Sequence, residues 1–396
     1  MQTRTYVLIL LATLAIGELL YLPGQLVLLQ AGEMLDFDQI VARQQQSDAL
    51  YFGLAEAPGN YKFAVYAKRK PDLVVLGSSR AHHEHQEFFR VPSYTMSGIV
   101  YTPADAIETM DLLIPVHKPK YVIYNLDYFA FCTRFAGVSG QKTFTRPHGR
   151  PNTGWAWGAS NRFRLVPDLI RQGDLSLGQA WNLAMHRFPS APTGNELIGM
   201  NALLMQRGFR LDGSLAKLHD EMQDPSYMVE ARKEIREGTL QFEGNCAYNP
   251  ETMAHLLMLQ NEMEKQGIRF IVHMPPISPE IYRLFRAARP DISGYFTVLL
   301  QELARQPLHD LHNHVDGAVV NAPDQEFSDG YHGGDVTEAR SLLAASREGD
   351  TALAAIVDRP FLEKFIARYR GQVEIGLPYF ETVHPVAWGA FAPHRP

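Results

Sequence analysis

Residues 73–80 read Leu-Val-Val-Leu-Gly-Ser-Ser-Arg, a short apolar run that a glycine closes just before two serines. A continuous apolar run of this length is typical of a strand that is buried on both faces of a sheet. Two other runs have the same character, Tyr-Val-Ile-Tyr-Asn-Leu at 121–126 and Phe-Ile-Val-His at 270–273. We therefore predict three buried strands, the first of which delivers two serines to the end of a sheet.

Helical stretches separate these strands. Thr102-Pro103 begins one that runs to Ile114, and Asn249-Pro250 begins another, since a capping side chain followed by proline is a common helix start. Strands that alternate with helices predict a three-layer α/β fold, in which a mainly parallel sheet is covered on both faces. Sites in such sheets lie at the carboxyl ends of the strands.

The chain divides into three predicted parts. Residues 1–29 form an apolar N-terminal membrane anchor, and residues 30–70 form a helical connector. Residues 71–396 form one α/β domain, which carries an irregular insertion at about 137–245 that is rich in glycine, proline, tryptophan and arginine. We expect this insertion to lie over the site end of the sheet.

The apolar run at residues 6–22 contains one acidic residue, Glu18, and it is about as long as a helix must be to cross a bilayer. An uncleaved transmembrane helix is favoured over two alternatives. A cleaved signal peptide requires small residues at its cleavage site, and a buried amphipathic helix requires a polar face. Arg4 is the basic residue that precedes the run. It predicts a cytoplasmic N-terminus and an extracytoplasmic, single-pass protein of the cytoplasmic membrane.

Composition narrows the function classes. The chain has 396 residues, of which 46% are hydrophobic and 20% are charged, as in globular proteins. Its net charge of −6 argues against nucleic acid as a partner. The two cysteines exclude a disulfide scaffold and a four-thiolate zinc site. Whether Cys132 and Cys246 form one bridge stays open.

Two short motifs carry catalytic chemistry. Ser79, in Gly77-Ser-Ser-Arg, lies on a strand-to-helix turn whose backbone N–H can face a developing oxyanion; a simple helix cap is the alternative. Near the C-terminus stands Asp329-Gly-Tyr-His332. An aspartate three residues before a histidine can bind its Nδ1, which leaves Nε2 free to take a proton from a hydroxyl.

This combination resembles the SGNH (GDSL-like) hydrolase and acyltransferase superfamily. Ser79 lies at the nucleophile position of its first block, and Asp329 and His332 match its last block, Asp-x-x-His. The resemblance implies that Ser79 is the nucleophile, that His332 is the general base, and that Asp329 orients His332.

The middle blocks of the superfamily imply the site-lining residues. Gly98 lies where the second block supplies an oxyanion-hole glycine. The third block is usually Gly-x-Asn-Asp, and Tyr124-Asn-Leu-Asp127 stands in its place. In strand-end register Asp127, rather than Asn125, occupies the position of the oxyanion asparagine, although an ionised aspartate donates no hydrogen bond.

Three features are similar to the membrane-anchored branch that includes DltD-like proteins and the alginate and cellulose acetylation proteins. They are the single anchor, Gly-Ser-Ser-Arg in place of Gly-Asp-Ser, and Leu-Asp-Tyr-Phe at 126–129. The resemblance covers roughly residues 70–335. It implies an extracytoplasmic O-acyltransferase or esterase that acetylates a cell-wall or secreted polysaccharide through a serine acyl-enzyme. It also implies a membrane-bound O-acyltransferase as partner, and no metal or organic cofactor.

Other readings stay open. The sequence contains no Gly-x-Ser-x-Gly elbow, no GxGxxG, no phosphate loop and no His-Glu-x-x-His. A non-catalytic assembly or polymer-binding protein with the same fold is the alternative function. Two histidine clusters could bind zinc, but solvated or capping side chains are the favoured interpretation; the clusters are His82, His83 and His85, and His309, His312 and His314.

Two further groups of residues could either belong to the functional site or have only a structural role. His273 ends the third predicted strand and either lines the site or is a satisfied core histidine. Aromatic and basic side chains of the insertion could bind a sugar polymer, or they could be core and solvated residues; these are Trp155, Trp157, Trp181, Arg146, Arg150, Arg162 and Arg164.

Overall fold

The computed structural model of the chain describes residues 22–47, 49–54, 58–135, 155–185, 196–218, 220, 224–349 and 351–376. The predicted membrane span at 6–22 lies outside these ranges except for its last residue. Among the described residues, no helix has the length and the apolar character that a bilayer crossing requires.

Nine strands lie in the described part of the chain. They are β1 (Leu50–Tyr51), β2 (Leu73–Gly77), β3 (Ser93–Ser97), β4 (Tyr121–Asn125), β5 (Leu197–Ile198), β6 (Arg207–Phe209), β7 (Leu215–Lys217), β8 (Arg269–Met274) and β9 (Leu311–Asn313).

The helices of the same part begin with α1, which is described over residues 22–30. Thirteen others follow: α2 (Phe37–Ser47), α3 (Pro58–Arg69), α4 (Pro103–Leu113), α5 (Trp155–Gln172), α6 (Leu177–Ala184), α7 (Met200–Met205), α8 (Pro225–Glu237), α9 (Pro250–Lys265), α10 (Pro279–Arg286), α11 (Pro290–Leu303), α12 (Asp335–Ala345), α13 (Thr351–Ile356) and α14 (Arg359–Tyr369).

A five-stranded parallel sheet organises the molecule. Its strand order is β3-β2-β4-β8-β9, and every neighbouring pair is parallel. The three strands predicted from the apolar runs are β2, β4 and β8, so the parallel α/β class is confirmed. The edge strands β3 and β9 escaped prediction because Ser-Tyr-Thr-Met-Ser and Leu-His-Asn contain no continuous apolar run.

Alternate residues of the central strands pack against helices on opposite faces. Val74 and Leu76 lie in one core cluster with α4 and α9, whereas Leu73 and Val75 lie in another with α12 and α14. A strand covered on both sides must be apolar at every position, which is the reason for the unbroken Leu-Val-Val-Leu run. The sheet is therefore the middle of three layers.

The two predicted helix starts are confirmed at the atomic level. The Thr102 side chain accepts from the Asp105 N–H, and the Asp105 carboxylate accepts from the Thr102 N–H, which closes a capping box on α4. Asn249 caps α9, whose first residue is Pro250. Both helices pack on the same face of the sheet.

A second, four-stranded sheet joins the predicted connector to the predicted insertion. Its order is β5-β1-β6-β7, where β1 pairs in parallel with β5 and antiparallel with β6. Residues 30–70 are thus more than a helical connector, since they contribute a strand and also α3. The buried Nζ of Lys62 on α3 donates to the Thr95 and Gly213 carbonyls and so ties the two sheets together. Two-residue strands have too short a pattern to be predicted.

Cys132 and Cys246, which are 114 positions apart in sequence, form a disulfide with 5.4 Å between their Cα atoms. The bond joins the segment that follows β4 to the segment that precedes α9. Backbone hydrogen bonds from Thr133 to Ala247 and from Asn249 to Phe131 flank it. The question that the sequence left open is thereby answered, and these two segments are fixed to each other.

Candidate active site

Ser79 occupies a tight turn at the carboxyl end of β2. The strand ends at Gly77, and the Ser78 hydroxyl accepts from the Arg80 N–H at 3.2 Å to cap a short 3₁₀ turn over Ser79–Ala81. A Cβ atom on Gly77 would lie only 2.7 Å from the Ala81 side chain and 2.9 Å from that of Asn125. Glycine is therefore required where the chain turns from the sheet to present the serine.

The three residues predicted to be catalytic lie together. Ser79 Oγ is 2.8 Å from His332 Nε2, and His332 Nδ1 is 2.7 Å from Asp329 Oδ2. A short antiparallel bridge between Phe327 and Gly333 closes the loop that carries the last two. Within this loop Asp329 Oδ1 accepts from the backbone N–H groups of Tyr331 and His332.

These contacts determine the charge of Asp329 and favour one tautomer of His332. Burial by itself raises the pKa of Asp329, but the neighbouring His332 and the hydrogen bonds to this loop lower the pKa to about 2. Asp329 is therefore a carboxylate at neutral pH and accepts the Nδ1 proton of His332. With this proton on Nδ1, Nε2 can accept from the Ser79 hydroxyl, as a general base requires.

The predicted oxyanion contacts are only partly available. Among the described residues, the Ser79 N–H donates to no hydrogen bond, so it is free to meet an oxyanion. The Gly98 N–H, by contrast, donates to the Ser78 carbonyl at 3.0 Å. Gly98 therefore does not offer its N–H to a substrate in this conformation, which differs from the role that the sequence motif implied.

Asp127 does not face the substrate either. Its carboxylate accepts from Arg80 Nη1 at 2.9 Å, and both side chains are about 1% exposed. Arg80 also donates to the carbonyls of Pro275 and Pro276, and its guanidinium carbon lies 4.9 Å from the centre of the Tyr331 ring. Burial tends to lower the pKa of Arg80, but Asp127 and nearby tyrosines raise it overall, so Arg80 is a cation. Burial raises the pKa of Asp127, and the neighbouring Arg80 opposes that rise.

Asn125 and His273 belong to the buried interior. Asn125 Nδ2 donates to Glu84 Oε1, and Asn125 Oδ1 lies 2.7 Å from His273 Nδ1. The other ring nitrogen of His273 lies 2.7 Å from Ser341 Oγ. The core interpretation of His273 is therefore correct, and Asn125 positions this network instead of lining the cleft.

The two histidine clusters differ from the expectation of solvated side chains. His83 and His85 are buried and lie 2.8 and 2.7 Å from the same oxygen of Asp335. His312 and His314 are also buried, and both bind Glu348. Only His309 of the second cluster is exposed, and it binds Glu264.

Three buried groups in the described part of the chain bring metal-binding side chains within 4.8 Å of one another. They are His83, His85 and Asp335; Glu84, His273 and Glu338; and His85, Glu87 and Asp212. Hydrogen bonds and ion pairs within the protein already engage the ligand atoms of the first and third groups.

Two clefts meet at Ser79. One has a volume of about 320 Å³ and is mostly aromatic and apolar; its lining includes Tyr101, Phe129, Phe135, Leu240 and Tyr331. The other, the polar cleft, has a volume of about 440 Å³. Its polar lining includes His82, Arg207, Lys217, Asp329, His332 and Glu374, and Phe52, Phe209 and Leu215 add apolar surface of about equal extent. His332 borders the polar cleft and is absent from the lining of the aromatic one.

Sequence reasoning missed most of these lining residues. Phe129, Leu240 and Lys217 lie in segments that are distant in sequence, and no local pattern joins them. Tyr331 is the exception, because it lies within the Asp-x-x-His motif, next to His332 in sequence. This position is the sequence signal that could identify it as a lining residue, and its ring packs on His332 with 4.7 Å between ring centres.

The predicted sugar-binding residues of the insertion lie outside these clefts where their side chains are described. Trp181 is 63% exposed on α6, and Arg164 is exposed on α5. The side chains of the others lie outside the described part of the chain; they are Arg146, Arg150, Trp155, Trp157 and Arg162.

No model of a known protein family matches this chain, and no curated protein matches it.

Proposed function

We propose that this protein is a serine-dependent O-acyltransferase or esterase with an SGNH-like fold, which modifies a polysaccharide outside the cytoplasmic membrane. The observation that carries the proposal is the relay from Asp329 through His332 to Ser79, with successive distances of 2.7 and 2.8 Å. A hydroxyl, an imidazole and a carboxylate in this order form the arrangement that activates serine for acyl transfer.

The reaction has two half-steps. Ser79 Oγ attacks the ester carbonyl carbon while its proton passes to His332 Nε2. The carbon–oxygen bond to the alcohol then breaks, and the departing oxygen takes the proton from His332. In the second half-step His332 removes a proton from a sugar hydroxyl or from water, whose oxygen attacks the carbonyl carbon of the acyl-Ser79 ester. The bond from this carbon to Ser79 Oγ then breaks, and Ser79 Oγ takes the proton back from His332. A sugar acceptor completes a transfer, and water completes a hydrolysis.

Asp329 and the Ser79 N–H support this chemistry. Asp329 holds the Nδ1 proton of His332 and stabilises the imidazolium that forms when Nε2 is protonated. The Ser79 N–H stabilises negative charge on the carbonyl oxygen. No step requires a metal or an organic cofactor.

The extracytoplasmic location has two supports. The apolar run at 6–22 has the length of a membrane span. The Cys132–Cys246 disulfide suits an oxidising compartment, because cytosolic reductants keep most thiols reduced. The resemblance to polymer acetylation proteins supports a polysaccharide acceptor and a membrane-bound O-acyltransferase as the partner that supplies acyl groups.

One observation favours the alternative of a non-catalytic polymer-binding or assembly protein. Of the predicted oxyanion contacts, the Gly98 N–H is bound to Ser78 and Asp127 is paired with Arg80. A protein that does not catalyse would tolerate this arrangement.

Labelling with a fluorophosphonate tests the proposal, since this probe reacts with an activated serine and mimics the tetrahedral intermediate. We expect one label, mapped to Ser79 by peptide mass spectrometry. Ser79→Ala and His332→Ala should abolish labelling, while the control Ser226→Ala, an exposed serine near the start of α8, should not. An unlabelled wild-type chain that is shown to be folded would favour the non-catalytic alternative.

A further inference from the structure

We propose that the aromatic cleft beside Ser79 binds the acyl chain of the substrate, and that it accepts a chain of about six to eight carbons in place of acetyl. This inference rests on the proposed function, because it assigns an acyl subsite to the same nucleophile.

The position of His332 indicates which portion of the ester each cleft binds. A general base that accepts the serine proton must return it to the departing alcohol oxygen, so the alcohol lies on the side of the base. His332 and Asp329 border the polar cleft. The alcohol portion of the ester therefore occupies the polar cleft, and the acyl portion extends from Ser79 in the opposite direction, into the aromatic cleft.

The chemistry of the linings agrees with this assignment. Phe129, Phe135 and Leu240 give the acyl side a mainly apolar surface, although Arg134, Gln241 and Glu243 also line it. Arg207 and Lys217 give the alcohol side hydrogen-bond donors that suit hydroxyl-rich groups, beside the apolar Phe52, Phe209 and Leu215. Phe129 and Phe135 pack on each other with 4.5 Å between ring centres, and Phe129 also packs on Tyr331 at 6.0 Å. The apolar wall is therefore continuous up to the loop that carries His332.

The volume of the cleft exceeds what an acetyl group fills. The half-open cleft has a volume of about 320 Å³, several-fold more than the roughly 30 Å³ that one water-sized group occupies in the liquid. Acetyl would leave most of this apolar surface in contact with water. A chain of six to eight carbons would cover it, and burial of apolar surface is favourable in proportion to its area.

Leu240 is the second observation that points to an apolar ligand. Its side chain is 62% exposed at the cleft, and its φ of +53° lies in the left-handed region. A bulky residue other than glycine seldom adopts this conformation, and strained residues of this kind concentrate at functional sites. The strained backbone presents an apolar side chain that contacts little protein, as a residue that packs on a bound chain would do.

Two covalently joined segments supply walls of the cleft. Phe129, Arg134 and Phe135 lie on one, and Leu240 and Glu243 lie on the other. The Cys132–Cys246 disulfide connects the segments, and Arg134 Nε lies 4.0 Å from Glu243 Oε1 between the two walls. The walls are thus held at a fixed separation, which prepares the cleft for its ligand.

A series of p-nitrophenyl esters tests the acyl length, because the leaving group stays constant. Ser79 Oγ forms the ester bond to the acyl carbon, and p-nitrophenolate leaves; water then hydrolyses the acyl-enzyme. Between acetate and octanoate, measured below their aggregation limits, we expect kcat/KM to rise about two- to fourfold for each methylene that is buried. A fall in kcat/KM from acetate onward would overturn the acyl-chain assignment.

A matched pair of variants locates the effect in the cleft. Leu240→Asp should lower the ratio of octanoate to acetate kcat/KM by at least tenfold, because it places a charge beside the chain. Leu177→Asp, at another exposed leucine on α6, should leave this ratio as in the wild type. An unchanged ratio in Leu240→Asp, or an equal fall in both variants, would contradict the proposal.

The two proposals fail in different ways. If acetate is cleaved in a Ser79-dependent reaction but longer esters are not, the proposed function holds and the acyl subsite is wrong. If no ester is cleaved and fluorophosphonate does not label Ser79 in the folded chain, both proposals fail. Rates of Ser79 labelling by alkyl fluorophosphonates of increasing chain length give a second readout, which does not depend on deacylation.

Discussion

The carboxylate of Asp127 and the guanidinium of Arg80 each explain why the other can be buried. Within the resemblance, Arg80 belongs to Gly-Ser-Ser-Arg, which replaces Gly-Asp-Ser, and Asp127 stands in place of an asparagine. Either charge alone would be costly in this buried position. Together they form an ion pair at 2.9 Å, so the two departures from the superfamily pattern compensate each other. In the sequence, strand-end register alone predicts Asp127 near the oxyanion. Its ion-pair partner Arg80 lies 47 positions away, so no local pattern reveals the pair.

Asp127→Asn should therefore destabilise the fold. The substitution leaves the Arg80 charge buried without its partner, which costs about 3–5 kcal/mol in comparable pairs. Urea unfolding would measure the loss, and the double variant Arg80→Met, Asp127→Asn should recover part of it. A folded Asp127→Asn with wild-type stability and faster ester cleavage would instead support an ionised aspartate at the oxyanion.

The three triad residues should act as a unit. Because a hydroxyl is a poor nucleophile until a base removes its proton, Ser79→Ala and His332→Ala should each cost about as much as both together, on the order of 10⁶-fold in kcat for a well-tuned site. Asp329→Asn should cost less, on the order of 10⁴-fold, since it affects only the tautomer and orientation of His332. Ester hydrolysis by the four variants measures this. Multiplicative losses in the double variant would contradict a shared role.

Because the pKa of Asp329 is lowered in the folded chain, we expect the free energy of unfolding to fall at acidic pH. Its pKa is about 2 in the folded chain against about 3.9 when unfolded. Since the folded pKa is the lower one, the Asp329 contacts stabilise the fold above about pH 4, and this contribution is lost as the pH falls through about 2. Asp329→Asn should flatten the dependence of the unfolding midpoint on pH between 2 and 4. Curves of equal slope for variant and wild type would exclude this contribution.

At the scale of elements, the central strands and the capped helices were predictable, and the second sheet was not. Strands such as β2 are buried on both faces, so their sequence is apolar throughout. Strands such as β1 and β5 are two residues long and derive their pairing from contacts across almost 150 positions. No local pattern encodes such pairing, so the sequence of residues 30–70 predicts only a helical connector.

The Cys132–Cys246 bond should stabilise both the domain and the aromatic cleft. Closing a loop of about 114 residues restricts the unfolded chain and contributes up to about 4–5 kcal/mol in the loop-entropy account. The Cys132→Ser, Cys246→Ser variant should lower the free energy of unfolding by an amount of this order. It should also lower the preference for longer acyl esters relative to acetate. Wild-type stability of the variant would show that the bond adds nothing to the fold.

Across the whole molecule, the triad could be predicted and its surroundings could not. Ser79 and His332 are 253 positions apart, but each stands in a short motif whose chemistry is local. The buried network that includes Glu84, Asn125, His273 and Ser341 has no such motif. Its members are joined only once the parallel strands and α12 are packed, so their roles follow from the tertiary structure.

The N-terminal segment should hold the whole chain at the membrane. Val27 and Leu28 of α1 are buried in a cluster with Val166 and Met200, so protein, and not lipid, covers this part of the predicted 1–29 anchor. The lipid-facing segment should therefore end before residue 27. We expect the full chain to stay in the membrane fraction after a high-salt wash and to retain its N-terminus.

A charge in the middle of the apolar run tests this placement. Leu14→Arg should reduce insertion, because arginine at the centre of a membrane helix costs about 2.5–3.5 kcal/mol on insertion scales. Glu18→Leu is the matched control and should preserve membrane retention, since it removes the one acidic residue of the run. Fractionation with detection of the N-terminus measures both. A soluble mature chain that begins near residue 30 would show that the run is a cleaved signal, and the α/β domain would then have no membrane anchor.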